Sequence, residues 1–248
     1  MTLNTSNPAR FYAVIPCAGS GSRAGSVLPK QYQDIAGMPM VVHTINAFAD
    51  VPRITGGLLV LAPDDVHMEV VQTRFPQNLF QCVRTGGASR AASVVAGLQA
   101  LREIGARDED WVLVHDAARC LVTSLQINSL IDACHGDAIG GLLAHKLADT
   151  LKTEVNGRVE QTVDRSDKWL AQTPQMFRLG ALLMALEQAI SKPVTAVNNL
   201  ITDESSAMEL MGLSPKLVEG SAENFKVTYP QDFALAESIL KSRSIGNT

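Results

Sequence analysis

The sequence predicts an α/β fold, namely a doubly wound, mostly parallel sheet of the Rossmann-like type with a protruding β-hairpin arm. Three observations predict it. Short apolar runs alternate with segments of helical spacing through the first half of the chain. A glycine-rich turn follows the first apolar run, and a segment of alternating polar and apolar residues is centred on Asn156-Gly157. Strands that alternate with helices indicate βαβ units and therefore a parallel sheet.

The first half of the chain provides most of the predicted sheet. We expect buried strands at 11–16, 56–63, 79–85 and 111–119. We expect helices at 38–49, 64–75, 89–105 and 124–136, the third of which stops at Gly105. Such sheets bind ligands beyond the carboxyl ends of their strands. The loop after 11–16 and the segment "HDAAR" (115–119) both lie at such ends.

The alternating segment at 144–169 predicts a β-hairpin, because Asn-Gly between two such runs is a strong hairpin signal. We expect this arm to span about 146–168. A lone two-stranded ribbon is marginally stable in water, so the arm needs a surface to pack on. Its own domain is one possibility, but we favour a second subunit, which predicts a homodimer. Helices at 179–190, 203–212 and 230–242, with a short strand at 216–220, complete one domain over 1–248.

Composition and charge argue against several classes of protein. The 248 residues are 46% hydrophobic and 19% charged, which suffices for a substantial core. A net charge of −4 argues against a general nucleic-acid binder. The sequence shows neither a membrane-spanning apolar run nor a signal-peptide pattern, so we expect a cytoplasmic protein with no membrane partner. The four cysteines lack the spacing of a zinc site and are expected to be reduced thiols.

The segment "IPCAGSGSRAGSVLPKQY" (15–32) is the first candidate for chemistry. It is one residue too long for the dinucleotide fingerprint, and it lacks the Gly-Lys-Ser/Thr sequence of a P-loop. Gly19 and Gly21 let backbone amides point at an anion without Cβ obstruction. Arg23 and Lys30 add two cations. The segment therefore predicts a loop that binds a triphosphate, and the alternative is a surface turn with solvated charges.

Seven motifs in order resemble one family of nucleotidyltransferases. They are the glycine loop with "PKQY", "TGGASRAASV", "VHDAAR", "DTLK", "TVDRSDKWLAQTPQMF", "ITDESSAMELMG" and "VEGSAENFKVTYPQD". From about Phe11 to Leu240 the chain resembles the 2-C-methyl-D-erythritol 4-phosphate cytidylyltransferases of the non-mevalonate isoprenoid pathway. The resemblance implies that CTP and methylerythritol phosphate give 4-diphosphocytidyl-2-C-methyl-D-erythritol and pyrophosphate.

The implied reaction is an attack of the substrate's phosphate on the α-phosphorus of CTP. A phosphate monoester has a second pKa of about 6, so it is largely dianionic at neutral pH and needs no general base. Catalysis would come from alignment and from stabilising the charge on the α-phosphoryl group. The resemblance implies that Arg23, Lys30 and Lys226 are the catalytic residues. Without the resemblance, Lys226 is interpreted as a surface lysine.

The resemblance also implies how the nucleotide is held. The CTP-binding residues that it implies are Cys17, Ala18, Gly19, Gly21, Gly87, Ser93 and Arg119. Of these, Cys17, Ala18, Gly87 and Ser93 would lie around the cytosine base. Asp116 would hold Mg²⁺ against the triphosphate, because Mg²⁺ prefers one or two carboxylates together with phosphates and water. The alternative for Asp116 is a helix N-cap.

The second substrate would be bound by residues of the arm and of the domain. The residues that the resemblance implies are Thr150, Arg165, Thr173 and Asp203. Thr150 and Arg165 lie on the two sides of the hairpin, and in the family they come from the partner's arm, so each active site would be shared. The alternative for Asp203 is an N-cap of the helix that follows it.

The sequence departs from the family's pattern at three positions. Cys17 replaces an alanine, Cys120 replaces a proline, and Ala88 replaces an acidic residue. The change at Cys120 leaves the direction of Arg119 open. Two other functions also stay open, namely a cytidylyltransferase for another polyol phosphate such as ribitol 5-phosphate, and a non-catalytic domain that binds a nucleotide or NAD. Arg165 and the "TVDR" arm favour methylerythritol phosphate.

Overall fold

The computed structural model describes residues 9–19, 28–191 and 201–245. The strands are β1 (Phe11–Pro16), β2 (Asp34–Ile35), β3 (Met38–Pro39), β4 (Ile54–Val60), β5 (Phe80–Val83), β6 (Trp111–Val114), β7 (Gly140–Lys146), β8 (Leu151–Val155), β9 (Arg158–Val163), β10 (Trp169–Arg178) and β11 (Lys216–Glu219). The α-helices are α1 (Met40–Ala49), α2 (Met68–Val71), α3 (Arg90–Glu103), α4 (Ser124–Cys134), α5 (Leu179–Ser191), α6 (Glu204–Leu210) and α7 (Pro230–Ile245). Single 3₁₀ turns lie at Lys30–Tyr32 and Gln72–Arg74. Within the described ranges, no helix is long and apolar enough to cross a membrane.

Seven strands form one central sheet in the order β11-β7-β10-β6-β1-β4-β5. β1 lies parallel between β4 and β6, β5 is parallel to β4, and β11 is parallel to β7. Only β10 among these seven runs antiparallel to its neighbours, β6 and β7. The prediction of a mostly parallel α/β sheet is therefore confirmed.

Most of the core lies in two apolar layers on opposite faces of the sheet, and a smaller third cluster packs under α7. Ala13 and Ile15 of β1 pack in the layer that contains α1, α2 and α4, whereas Val14 packs in the layer with α3, α5 and α6. Successive side chains of a strand point to opposite faces. A strand that is buried on both faces is therefore apolar throughout, as β1 is, and this explains why the run "FYAVIP" predicted it.

Two elements of the first half are shorter than the sequence predicts. The segment 64–75 forms only α2 and one 3₁₀ turn, because the Asp65 carboxylate accepts the backbone N–H groups of His67 and Met68 and holds the preceding residues in a turn. Strand β6 ends at Val114 rather than at 119. After it, the N–H of Arg119 bonds to the carbonyl of Asp116, so the chain turns where the prediction continued the strand.

Two strands of the central sheet, β7 and β10, lie on either side of the predicted arm and were missed from the sequence. They pair with each other antiparallel, and β8 and β9 extend from them as a separate two-stranded hairpin. Asn156 and Gly157 close this hairpin with φ values of 52° and 75°. These are the positive values that a tight Asn-Gly hairpin turn requires. The predicted hairpin is present, and the chain enters it from β7 and leaves it into β10.

The arm is largely exposed to solvent. Most side chains of β8 and β9 are exposed, and the apolar side chains of Val155 and Val159 are 50% and 64% exposed. At the base of the arm, the N–H of Leu147 bonds to the carbonyl of Lys168 at 3.1 Å. The arm is therefore joined firmly to the sheet and presents its length to solvent.

Candidate active site

A cavity of about 360 Å³ lies at the carboxyl ends of β1 and β6. Its wall consists of residues 16–19, 30–31, 87–90 and 116–118, together with Ser93 and Lys226. Several loops that follow parallel strands meet there, beside the amino end of α3. Doubly wound sheets bind their ligands at this position.

The first wall of the cavity is the start of the glycine loop. The N–H of Cys17 donates to the carbonyl of Val60 at 2.8 Å and extends the pairing of β1 with β4. The buried amide of Gln31 donates to the carbonyls of Cys17 and Gly19 at 2.9 and 3.2 Å, and thereby fixes the backbone of the loop. Ala18 and Gly19 line the cavity beside them. Gly21 and Arg23 lie outside the described residues, so their roles stay predictions.

The second wall is the loop between β5 and α3. A Cβ atom on Gly86 would lie 2.4 Å from the Cβ of Ala18 and 2.6 Å from the carbonyl oxygen of Leu61, so only glycine lets the two loops approach this closely. The hydroxyl of Ser93 accepts the N–H of Gly87 at 3.1 Å and donates to the carbonyl of Ser89 at 3.0 Å. Gly87 and Ser93 thus line the cavity as one hydrogen-bonded unit.

Asp116 lies in the wall of the cavity between two basic side chains. Its Oδ2 accepts a hydrogen bond from Lys226 Nζ at 2.7 Å, and its Oδ1 accepts one from Arg90 Nε at 2.8 Å. Burial alone would raise the pKa of Asp116, but the charges of Arg90 and Lys226 outweigh it and hold the pKa well below its usual range. Asp116 is therefore a buried, ionised carboxylate at the cavity.

Arg90 and its partner Glu204 were not predicted as site residues from the sequence. The terminal nitrogens of Arg90 donate to the two carboxylate oxygens of Glu204 at 2.6 and 3.0 Å. Glu204 has no exposed surface, and this burial raises its pKa while Arg90 opposes the rise. An arginine directly after "GGAS" was the available signal for Arg90. Its carboxylate partner is 114 positions away, and only the fold shows the pairing.

The two predicted catalytic lysines that the structure describes lie close to the same wall. Lys30 Nζ donates to the carbonyl of Val227 at 3.0 Å, and Val227 directly follows Lys226. The N–H of Val227 bonds in turn to the carbonyl of Ala118, which lies two residues after Asp116 in the loop that follows β6. The fold therefore brings Lys30, Asp116 and Lys226 together, as their predicted roles require.

Thr173 lies behind Asp116 in a buried chain of hydrogen bonds. Its Oγ1 accepts the N–H of Asp116 at 3.1 Å and lies 3.0 Å from Nδ1 of His115. The carbonyl of Arg119 can only accept a hydrogen bond, so Nε2 of His115 carries the ring proton and donates to this carbonyl at 3.1 Å. Nδ1 is then unprotonated and accepts the hydroxyl proton of Thr173. Burial lowers the pKa of His115 to about 4, and the ring is neutral at pH 7. Thr173 thus supports the loop that holds Asp116.

Arg119 lies outside the wall of this cavity. Its guanidinium donates to the carbonyls of Asn224 and Ala171 at 2.7 and 3.2 Å. It faces a neighbouring cavity of about 530 Å³, which Lys146 and Lys226 also line. Lys226 therefore borders both cavities, whereas Arg119, predicted to bind CTP, borders only the second of the two.

The remaining predicted residues lie away from the first cavity. Thr150 and Arg165 are exposed on the arm. Asp203 is the N-cap of α6, where its Oδ1 accepts the N–H of Ser206 at 2.9 Å. Its Oδ2 accepts a hydrogen bond from the amide of Gln175 at 2.8 Å. Asp203 therefore has the helix-capping position that was its alternative interpretation.

The donor set at the cavity fits a metal ion that arrives with phosphates. Among the described residues of its wall, Asp116 is the single carboxylate. In the same part of the chain, no group of three or more histidine, cysteine, aspartate or glutamate side chains is arranged to hold a metal. Mg²⁺ commonly uses one or two carboxylates and takes its other ligands from phosphates and water. Asp116 fits that mode of binding.

Glycine-containing loops and lysines around a carboxylate at the carboxyl edge of a mostly parallel sheet suit the phosphates of a nucleotide. Comparison with known proteins places the chain among the nucleotidyltransferases. Residues 11–242 match the family model described as IspD: 2-C-methyl-D-erythritol 4-phosphate cytidylyltransferase. The chain belongs to this family.

Relatives of known name agree with this assignment. The chain is 59% identical over 239 residues to the bifunctional enzyme IspD/IspF of Albidiferax ferrireducens, and the match covers 96% of this chain and 55% of that protein. The chain therefore spans about half the length of this bifunctional relative. It is 50% identical over 236 residues to the 2-C-methyl-D-erythritol 4-phosphate cytidylyltransferase of Paraburkholderia phytofirmans, with 94% of this chain and 96% of the relative covered.

Solved structures show the same fold. The crystal structure of a 4-diphosphocytidyl-2C-methyl-D-erythritol synthase matches with a TM-score of 0.81 at 37% identity and covers 95% of this chain and 100% of that one. The 2-C-methyl-D-erythritol 4-phosphate cytidylyltransferase of Thermus thermophilus matches with a TM-score of 0.73 at 29% identity, over 92% of this chain and 98% of that one.

Proposed function

We propose that this chain joins CTP and 2-C-methyl-D-erythritol 4-phosphate to give 4-diphosphocytidyl-2-C-methyl-D-erythritol and pyrophosphate. One observation carries the proposal for these residues: Lys30, Asp116 and Lys226 converge beside the glycine loop in a member of this family. CTP would occupy the cavity of about 360 Å³. Its base would lie beside Gly87 and Ser93, and its phosphates would lie against the glycine loop and Lys30, because exposed backbone N–H groups and a cation favour anions.

The chemical step needs alignment more than proton transfer. An oxygen of the polyol phosphate forms a bond to the α-phosphorus of CTP while the bond to the pyrophosphate oxygen breaks. The attacking monoester is already largely dianionic, with a second pKa of about 6. No histidine is among the described residues that line the first cavity, and His115 is buried and hydrogen-bonded at both ring nitrogens. His145 lines the neighbouring cavity of about 530 Å³.

Stabilisation of charge falls to the two lysines, with Arg23 as a further expected cation. Lys226 borders both cavities, so its ammonium can approach the phosphoryl group that passes between them. Lys30 would hold the triphosphate from the other side of the wall. Asp116 would hold Mg²⁺ together with oxygens of the triphosphate, and the ion would neutralise part of the phosphate charge.

The second substrate would enter through the neighbouring cavity of about 530 Å³. This cavity meets the first at Lys226, which suits an in-line approach of the polyol phosphate to the α-phosphorus. Arg119 lines it, and we therefore assign Arg119 to the polyol phosphate rather than to CTP. Thr173 acts from behind, by holding the loop of Asp116. Asp203 acts through α6, whose amino end it caps.

The arm residues fit a shared active site in a homodimer, which we expect to work in the cytoplasm. Thr150 and Arg165 lie on the exposed arm and line neither of the two cavities in their own chain. The exposed apolar side chains of Val155 and Val159 give the arm a surface that a second subunit would cover. Arg165 would then bind the substrate phosphate of the partner's site with its planar fork.

Mixing two inactive variants tests the shared site. Lys30→Ala removes a residue of the first cavity, and Arg165→Ala removes a residue of the arm. In a mixed dimer with shared sites, one site carries both changes and the other carries neither, so mixing the two proteins should restore activity. The measurement is pyrophosphate release after co-refolding, with sedimentation to record the dimer. A mixture no more active than its separate components would contradict sharing.

Turnover with alternative polyol phosphates tests the function itself. Pyrophosphate release is measured with CTP, Mg²⁺ and either methylerythritol phosphate or ribitol 5-phosphate. We expect release with the first and much less with the second. Equal rates would favour the other cytidylyltransferase. No release with either, together with binding of NAD, would favour a non-catalytic domain.

Lys30→Ala tests the assigned role of the glycine loop in the same assay. We expect it to lower the rate by about 10²–10³, as removal of one donor to a developing charge does in other enzymes. The matched control is Lys241→Ala, which removes an exposed lysine of α7 that pairs with Glu237. The control should keep the normal rate.

A further inference from the structure

Four charged side chains form one continuous line from the cavity to the buried Glu204, the first residue of α6. Lys226 bonds to Asp116 at 2.7 Å, Asp116 bonds to Arg90 at 2.8 Å, and Arg90 bonds to Glu204 at 2.6 and 3.0 Å. With all four groups ionised, the two cations balance the two anions. The roles proposed above use Lys226 and Asp116. They leave Arg90 and Glu204 without a function.

A buried ion pair needs a reason other than stability. Removing two charges from water costs more than their attraction returns in many proteins, and apolar residues of similar volume often stabilise a fold as well or better. Glu204 has no exposed surface, and the side chain of Arg90 is 27% exposed. The pair lies directly behind the proposed metal ligand, so its function should be sought there.

The position of Glu204 is fixed from both sides. Asp203 before it caps α6, and the amide of Gln175 donates to Asp203 at 2.8 Å. The oxygen of the same amide accepts the N–H of Ser205 at 2.7 Å. Gln175 is itself buried in the central sheet, on β10. Gln175 thus bonds to the residues before and after Glu204, and these two bonds fix the position of Glu204 relative to the cavity.

We propose that Arg90 is a positioning residue for Asp116 and that Glu204 is the buried anchor that keeps Arg90 in this role. The inference rests on the proposed binding of CTP with a divalent cation. Glu204 occupies the terminal nitrogens of Arg90 in a bidentate pair, which leaves Nε for Oδ1 of Asp116. Oδ2, which Lys226 holds, is then the oxygen that a metal bound to the nucleotide would take.

The anchor also has an electrostatic consequence. An arginine without Glu204 would bring an uncompensated positive charge to the cavity. That charge would compete with a metal ion for Asp116 and would attract the triphosphate directly. With Glu204 in place, Arg90 orients Asp116 while the charge of the carboxylate stays available to a divalent cation.

The decisive measurement is the affinity for CTP with Mn²⁺ divided by the affinity for CTP without it. Mn²⁺ replaces Mg²⁺, and the second substrate is left out. Isothermal titration gives both affinities, and electron paramagnetic resonance follows the bound Mn²⁺. The variants are Glu204→Gln, which keeps the shape and removes the charge, and Arg90→Lys, which keeps the charge and removes the bidentate fork. We expect this ratio to fall about 10- to 100-fold in each, as changes to residues behind metal ligands commonly cause.

Each alternative role gives a different result. If Arg90 bound the triphosphate itself, Arg90→Lys would weaken CTP binding equally with and without Mn²⁺, and the ratio would stay constant. If the pair only stabilised the fold, both variants would melt at lower temperature with an unchanged ratio. Either result would overturn the inference. Arg90→Lys provides the test if Glu204→Gln does not fold.

The control is Asp110→Asn, which changes a buried aspartate that also pairs with two basic side chains, far from the cavity. It should lower the melting temperature and leave the ratio unchanged. A wild-type chain that bound no CTP would overturn the proposed function, and this inference with it. Normal wild-type binding with an unchanged ratio in both variants would overturn the inference alone.

Discussion

The two ends of strand β6 carry the same residue type in nearly the same electrostatic setting. Asp110 directly precedes the strand, and Asp116 follows its last residue by two positions. Both carboxylates are buried, with 0% and 8% of the residue exposed. Asp110 lies between Arg10 and Arg107, and Asp116 lies between Arg90 and Lys226. In both, basic partners hold the pKa well below its usual range against the opposing effect of burial.

The two aspartates differ in where their hydrogen bonds originate. Asp110 accepts the backbone N–H groups of Arg10 and Arg107 at 3.0 and 2.8 Å, in addition to their guanidinium groups. Among the described residues, the donors to the Asp116 carboxylate are the side chains of Arg90 and Lys226. Backbone donors are fixed by the fold, whereas a lysine side chain can rotate away when a ligand arrives.

This difference separates Asp110, which ties parts of the fold together, from Asp116, for which we propose a role in binding the substrate, although the two have similar burial and charge. Asp110 ties two loops together at the amino edge of the sheet. Asp116 lies at the carboxyl edge, in the wall of a cavity, with partners that a nucleotide can displace. Ligand sites of doubly wound sheets form at that edge because the loops after the parallel strands converge there.

The largest expected effect lies at the carboxyl end of β6. Asp116→Asn should lower kcat/KM by about 10²–10³, because it removes the charge that we propose to hold Mg²⁺ and that bonds to Lys226. It should also lower the free energy of unfolding by about 3 kcal/mol, because it leaves Arg90 and Lys226, whose side chains are 27% and 38% exposed, without their buried partner. Steady-state pyrophosphate release and thermal melting measure the two effects. A melting loss without a loss of rate would assign Asp116 to the structural type and remove the contrast with Asp110.

The second effect lies at the amino end of the same strand. Asp110→Asn should lower the free energy of unfolding by about 3 kcal/mol, because it leaves two arginines without their buried partner. The value is at the low end of such costs, since the side chains of Arg10 and Arg107 are 36% and 33% exposed. For a chain of this size the melting temperature should fall by roughly 6–12 °C. Calorimetry measures the shift, and a fall in kcat/KM of the folded protein would contradict a purely structural role.

The third prediction concerns His115, the neighbour of Asp116, and how it makes the stability of the fold depend on pH. The pKa of His115 is about 4 in the folded protein, against 6.5 for an unperturbed histidine, and burial is the main cause. The charge of Asp116 and the hydrogen bond to the carbonyl of Arg119 raise this pKa, while the charges of Arg119 and Arg90 lower it. Below pH 6.5 the unfolded chain therefore binds a proton that the folded chain does not, and stability falls with falling pH.

Between pH 7 and pH 5 this contribution amounts to about 2 kcal/mol, at about 1.4 kcal/mol for each pH unit below 6.5. Denaturant melts of wild type and His115→Asn over that range measure it. Whatever its absolute stability, the variant should lose less stability than wild type as the pH falls. Parallel pH profiles would contradict the assigned neutral, doubly hydrogen-bonded ring. The depressed pKa values of Asp110 and Asp116 act only at lower pH, where their contributions are lost as the pH falls below about 4.

The smallest effect concerns the approach of the two loops at the cavity. A Cβ on Gly86 would meet the carbonyl oxygen of Leu61 at 2.6 Å, so Gly86→Ala must displace backbone. We expect the KM for CTP to rise about 10-fold, which corresponds to about 1.4 kcal/mol of binding. The control is Gly136→Ala, at the end of α4, where a Cβ meets nothing within 4 Å. A normal KM in Gly86→Ala would show that the loops can separate without loss of the CTP site.

Features that depend on neighbouring residues could be predicted from the sequence. Apolar runs revealed β1, β4 and β6, because a strand buried on both faces is apolar along most of its length. A weaker run revealed the edge strand β5. Asn156-Gly157 revealed the hairpin turn, because few residues adopt positive φ values in succession. The glycine loop and "HDAAR" were recognised as site segments because each follows a strand, and the carboxyl ends of parallel strands meet at one edge of the sheet.

The pairing of distant segments could be read only from the folded chain. The strand that follows the arm, β10, was missed because its partners, β6 and β7, are set by the sheet and not by its own pattern. Arg90 and Glu204 were missed because a charged residue looks the same in sequence whether it is solvated or paired 114 positions away. Arg119 was predicted to bind CTP, whereas its direction toward the second cavity depends on the carbonyls of Ala171 and Asn224, which no sequence pattern shows. Residue type is local information, whereas the partner of a charge is a property of the whole fold.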